Sequence, residues 1–66
     1  HYLSSLLEML NNEDWNVRNS TLQTLFDLGL SDGDKSNVIK EVLGLLKKEK
    51  QDDVIASAND LLFSLS

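Results

Sequence analysis

Asp14 and Arg18 stand four residues apart in the stretch Leu10-Asn11-Asn12-Glu13-Asp14-Trp15-Asn16-Val17-Arg18, which reads as a polar turn entering a helix. Side chains four apart on a helix are neighbours, so the spacing predicts an ion pair. Projected at about 100° per residue, both also fall within the arc that holds Val17, Leu25 and Leu28. A guanidinium in such a shielded place must keep its donors paired, so the chemistry expected of Asp14 and Arg18 is structural, with anion binding by Arg18 as the competing reading. A second constellation, Asp32-Gly33-Asp34-Lys35-Ser36-Asn37, alternates oxygen ligands as a calcium loop begins. It lacks the bidentate Glu at the twelfth position, where Leu43 stands, and the Gly at the sixth, where Asn37 stands. A polar turn that caps a helix explains the same residues. His1, Ser4, Ser5 and Glu8 contain an imidazole, hydroxyls and a carboxylate. They come without a second imidazole, an oxyanion-hole glycine turn or a nucleophile elbow, and read as a solvated helix face.

These residues must be held by helices. With no proline and three glycines in 66 residues, punctuation falls to Asn, Asp and Ser clusters at 11–14, 31–37 and 50–53, whose side chains favour turns and helix N-caps. Four stretches result. The first places Tyr2, Leu3, Leu6, Leu7, Met9 and Leu10 on one helical face. The second opens on Asp14 as cap, carries Val17, Leu22, Leu25, Phe26 and Leu28, and is expected to stop at Gly29 in the left-handed conformation, with Leu30 folded back on Leu25. The third runs from a cap at Asp32, Asp34 or Ser36 through Val38, Ile39, Val42, Leu43, Leu45 and Leu46. The fourth begins after Asp52 with Val54, Ile55, Ala58, Leu61, Leu62, Phe63 and Leu65. No segment alternates with period two, so strands are not expected. Trp15 either covers the end of the first hairpin, the favoured reading, or stands out as an anchor for a partner. Gly44, on the polar face of the third stretch, calls for a close backbone approach or none at all.

Composition removes whole classes of function. A chain this short buries only about 60% of its unfolded surface, which leaves little room for an enclosed active site. It has no cysteine and a single histidine, which excludes disulfides and zinc ligation by Cys/His sets. A formal charge of −5 disfavours nucleic acid and anionic membranes, both of which require clustered Lys or Arg. No apolar run approaches the roughly 20 residues of a membrane span, and no signal peptide is visible. No catalysis, no cofactor and no metal are expected. Because the chain opens on His1-Tyr2-Leu3, already inside an apolar pattern, it reads as a piece of something longer. Lack of cysteine fits an intracellular place, cytoplasm or nucleus.

Internal self-similarity is the most informative feature. Leu7/Leu43 and Leu10/Leu46 are identical at a separation of 36, with Tyr2/Val38, Leu3/Ile39, Leu6/Val42 and Met9/Leu45 apolar in the same register. Val17/Val54, Ser20/Ser57, Leu25/Leu62, Phe26/Phe63 and Leu28/Leu65 are identical at 37. The chain divides accordingly into repeat one, 1–29, and repeat two, 30–66, within a single domain, 1–66. The turn before Asp14-Trp15-Asn16-Val17-Arg18 and the small pair Ser20-Thr21 resemble the HEAT signature, in which an acidic turn leads into Asp-x-x-Val-Arg. Repeat two keeps the turn and the Val in Asp52-Asp53-Val54 and the small pair in Ser57-Ala58, but has Ile55 for the Arg and lacks the usual turn proline. The resemblance implies an all-α fold of two stacked antiparallel helical hairpins, related to armadillo arrays, in which Asp14 and neighbouring repeat backbone hold Arg18. It further implies an α-solenoid that holds other proteins, with the second helix of each repeat lining the ligand side.

Charge is unevenly shared. All five lysines lie between Lys35 and Lys50. On the second helix Asn16, Asn19, Ser20, Gln23 and Asp27 project away from the apolar arc, and the repeat offset puts Asp53, Ala56, Ser57, Asp60 and Ser64 on the matching face of the fourth. The candidate partner-binding residues are therefore Asn16, Asn19, Gln23, Asp27, Asp53 and Asp60. An acidic, cation-free face suits a protein partner carrying a basic segment and repels nucleic acid. The rival expectation is a structural spacer or a self-associating four-helix unit.

Overall fold

A computed structural model describes residues 2–66; His1, one member of the set with Ser4, Ser5 and Glu8, lies outside the described residues. The described residues form four helices and no strand: α1 Tyr2–Met9, α2 Trp15–Asp27, α3 Asp32–Leu46 and α4 Asp52–Leu65. The all-α architecture follows from the helical spacing of the apolar residues, which leaves each helix one face to bury. α1 packs on α2, α3 packs on α4, and α2 lies against α4 as the main contact between the two pairs. Leu10, Trp15 and Arg18 from the first turn and its flanks surround one depression with Leu45, Lys48 and Gln51 from the third, so both turns meet at one end of the molecule.

The core is a single apolar cluster. Leu3, Leu6 and Leu10 enter it from the first helix and its end, Leu22 and Leu25 from α2, Val38, Val42 and Leu45 from α3, and Val54, Ala58 and Leu61 from α4. Thr21 is buried with them, its hydroxyl donating to the Val17 carbonyl at 2.7 Å, which satisfies the group without a partner from another helix. The apolar stripes are wider than the core they serve. Tyr2 is 66% exposed, Phe26 50% and Phe63 85%, because a chain this short has too little core to cover every apolar side chain.

The helix ends depart from expectation in three places. Gly29 does not take the left-handed conformation, since no described residue has a positive φ. α2 instead ends through Leu28 in an extended conformation, its N–H donating to the Thr24 carbonyl, and both Leu28 and Leu30 pack on the core. Packing of these two half-buried leucines against the core thus takes the place of the Schellman turn. At α3 the N-cap is Ser31, whose Oγ accepts from the Asp34 N–H at 3.3 Å, while Asp32 and Asp34 lie inside the first turn. Carboxylates are favourable there because they face the positive end of the helix dipole. α4 starts at Asp52, with Gln51 in the cap position and no side-chain cap bond.

Candidate functional site

Two places concentrate polar side chains. At the end where the turns meet, Asp14 caps α2 as expected, its carboxylate accepting the Asn16 N–H at 2.9 Å. It does not pair with Arg18. An N-cap residue has extended rather than helical backbone, here φ −81 and ψ 118, so the i, i+4 geometry of a helix does not apply to it. Arg18 turns instead to Glu49, donating from Nε to Oε1 at 2.7 Å and from Nη2 to Oε2 at 2.9 Å. Its Nη1 donates to the carbonyl oxygens of Asn12 and Glu13 at 2.7 and 3.0 Å. Four hydrogen bonds occupy the guanidinium, which leaves it poorly disposed to bind an external anion.

Glu49 is the functional partner that sequence spacing missed, since it lies 31 residues away in the other pair of helices. Its side chain is 3% exposed against 18% for Arg18, and its Oε2 also accepts the Gln51 N–H at 3.1 Å. The Arg18 hydrogen bonds hold the Glu49 carboxyl below its usual range, against burial, which pushes the other way. Arg18 is raised in turn, chiefly by its bonds to Glu49, with Asp14 adding a smaller share through space. Trp15 is half-buried against the core beside this cluster, in the covering role.

The second place is a groove of about 330 Å³ between α2 and α4, lined by Leu22, Gln23, Phe26, Asp27, Ser57 and Asp60. It brings together Gln23, Asp27 and Asp60 from the candidate face, and none of its lining residues is basic. Asn19 lies between the same two helices but is engaged, its Oδ1 accepting from the Ser57 hydroxyl at 2.5 Å. Asn16 is separate, lining a depression on the far side of α2 with Leu6, Met9 and Val17. Asp53 is exposed in the first turn of α4 and does not line the groove. Phe26, assigned from its spacing to the buried stripe, stands half exposed at the groove. Its spacing gave no signal of this, since Phe26 is four residues from the fully buried Leu22.

The remaining constellations are scattered by the fold. Residues 32–37 are helical, so Asp34 stands about 200° around the helix from Asp32 and from Ser36, and the three do not converge as in a calcium loop. Among the described residues there is no group of three or more His, Cys, Asp or Glu that could hold a metal ion. Ser4, Ser5 and Glu8 are exposed on α1. No helix among the described residues is long and apolar enough to cross a membrane. Gly44 has nothing within 4 Å of the position a Cβ would occupy, so no close approach requires it.

The fold and these sites define an all-α protein of four packed helices with an open acidic groove between the second and fourth. No family model matches the chain, and no curated protein or solved structure matches it either.

Proposed function

We propose that this chain is a non-catalytic protein-interaction module, built of two HEAT-like hairpins, that receives a Lys- or Arg-bearing segment of a protein partner along α2 and α4. One observation carries the reading: Gln23, Asp27 and Asp60 line a single groove with the half-exposed ring of Phe26, and no cation neutralises it. A long basic side chain suits such a place, because its methylenes cover apolar surface while its charged head meets carboxylates. The Arg18 cluster supports the same division of labour, since its donors are spent on holding the two turns together. Asn19 and Asp53 then belong to the rim of the binding face, Asn16 lies apart from it, and catalysis, cofactors and nucleic acid play no part. A scaffold role in the cytoplasm or nucleus accords with the absence of cysteine.

Exposed charge pairs contribute only about 0.2 to 1 kcal/mol each, so one groove binds weakly and affinity falls as salt rises. The test is an NMR titration with short peptides in which Lys or Arg alternates with apolar residues, each against its Glu-substituted counterpart. Amide shifts at Gln23, Phe26, Asp27, Ser57 and Asp60, abolished by Asp27→Lys with Asp60→Lys and unaffected by Lys40→Glu with Lys47→Glu, are expected. Shifts confined to the lysine-bearing face of α3, or equal response to the Glu peptides, overturn the reading.

A further inference from the structure

A depression formed by α1 and α2 is lined by Leu6, Met9, Val17, Thr21 and Thr24 together with Asn16 and Ser20. At the internal offset of 36 or 37 residues, Asn16 corresponds to the exposed Asp53, and the counterparts of the first five are Val42, Leu45, Val54, Ala58 and Leu61. Every one of these is buried. Ser20 corresponds to Ser57, which is half-buried and bonded to Asn19 across the contact between α2 and α4. The surface that the second hairpin buries thus has a counterpart on the first hairpin, a depression whose floor is the buried Leu6 and Thr21, with Val17 and Thr24 half-buried and Met9 exposed.

The converse holds in part at the other end. Leu7, Leu10 and Leu25 pack in the core or against it; of their counterparts Leu43 is exposed while Leu46 and Leu62 are half-buried against the core, and the buried Leu22 corresponds to the exposed Asn59. Phe26 of the α2/α4 groove corresponds to Phe63, the most exposed large apolar side chain of the molecule. Cross-hairpin bonds join nearly equivalent positions, Lys48 to Asn11 at a separation of 37 and Ser57 to Asn19 at 38. A displacement that carries the first hairpin onto the second therefore carries the second onto an empty place.

We propose that a second copy of this chain docks head to tail, its Leu43, Leu62 and Phe63 ridge seated in the Leu6, Met9, Val17, Thr21 and Thr24 depression of the first. The occupant is a copy because the ridge that fits the seat is carried by the same molecule, in continuity with the contact between α2 and α4. The threonines of the seat make no polar demand on it: Thr21 Oγ donates to the Val17 carbonyl and Thr24 Oγ to the Ser20 carbonyl. The contact is weaker than its internal equivalent, because Ile55 stands where Arg18 would pair and Ala56 where Asn19 would accept. Being heterologous, it does not close at two copies and extends with concentration. Each copy carries a formal −5, so salt that screens this repulsion strengthens stacking, the reverse of its effect on binding a basic peptide.

Sedimentation velocity over a concentration series, up to millimolar chain, tests this. A weight-average mass that rises without a plateau at the dimer, and rises further with salt, is expected. The ridge variant Leu43→Glu with Phe63→Glu and the seat variant Met9→Glu with Ser20→Glu change exposed positions only, and circular dichroism checks that each keeps the parent helicity. Each variant alone is expected to be monomeric, with self-association weakened tenfold or more. Mixed, they form a one-to-one dimer, because one keeps an intact seat and the other an intact ridge. A parent that is monomeric at every concentration and salt overturns the proposal, as does a closed symmetric dimer or a mixture of variants that fails to pair. Should a variant lose helicity, Phe63→Ser and Ser20→Lys singly replace it with the same expectations.

Discussion

The Arg18 guanidinium grips the Glu49 carboxylate in a two-bonded fork, 2.7 and 2.9 Å long, across the gap between the turn that follows α1 and the turn that follows α3. The same guanidinium holds the carbonyls of Asn12 and Glu13, so one side chain braces the first turn and ties it to the third. A planar five-donor group is suited to this, and lysine could not replace it.

Removing one partner of that fork leaves the other shielded charge without its bonds. Arg18→Met and Glu49→Gln are each expected to lower unfolding free energy by about 2 to 3 kcal/mol, and the double variant by much less than the sum. Asp14→Ala should cost about 1 kcal/mol through loss of the α2 cap and add to Arg18→Met nearly independently. Urea unfolding of the two cycles checks this. Strong coupling between Asp14 and Arg18, with none between Arg18 and Glu49, contradicts the geometry.

Acid should loosen the fork in a defined direction. The folded-state pKa of Glu49 is depressed, so its stabilisation is fully present above the ordinary glutamate value and is lost progressively as pH falls below it toward the folded value. Between neutral pH and pH 3, the urea midpoint of the parent should fall more steeply than that of Glu49→Gln. Parallel profiles would remove Glu49 from the acid response.

Gly44 lies exposed in the interior of α3 with open space where a Cβ would go. Gly44→Ala is expected to stabilise the fold by about 1 kcal/mol, which for a domain of this size raises Tm by roughly 4 to 8 °C. A lower Tm would mean that the glycine serves a contact made by a partner or a second copy.

Calcium should leave the protein unchanged, because the helix turns Asp34 away from Asp32 and Ser36. Millimolar calcium is expected not to move the melting temperature, measured by circular dichroism. A saturable rise that Asp32→Ala abolishes refutes the assignment.

Much of the fold was legible in the residues themselves. Four helices and their turns follow from apolar spacing and from Asn, Asp and Ser clusters, and Asp14 was recognisable as a cap, because these are local properties fixed by backbone geometry within a few residues. The grouping of Gln23, Asp27 and Asp60 was legible for a related reason: residues three or four apart on α2 share a side, and the internal offset carries Gln23 onto Asp60. Tertiary packing decided the rest. Which helix the Arg18 fork would reach depends on bringing Glu49 close from 31 residues away, and no local spacing encodes that distance. Packing also chose among equally apolar candidates. Leu22 and Leu61 are buried in the core while Phe26 is half exposed and Phe63 largely exposed, because two pairs of short helices enclose one narrow seam and leave the edges of each apolar stripe uncovered. The same packing ended α2 without its glycine turn: Leu28 and Leu30 lie half-buried against the core, and that apolar contact outweighs a local preference at Gly29.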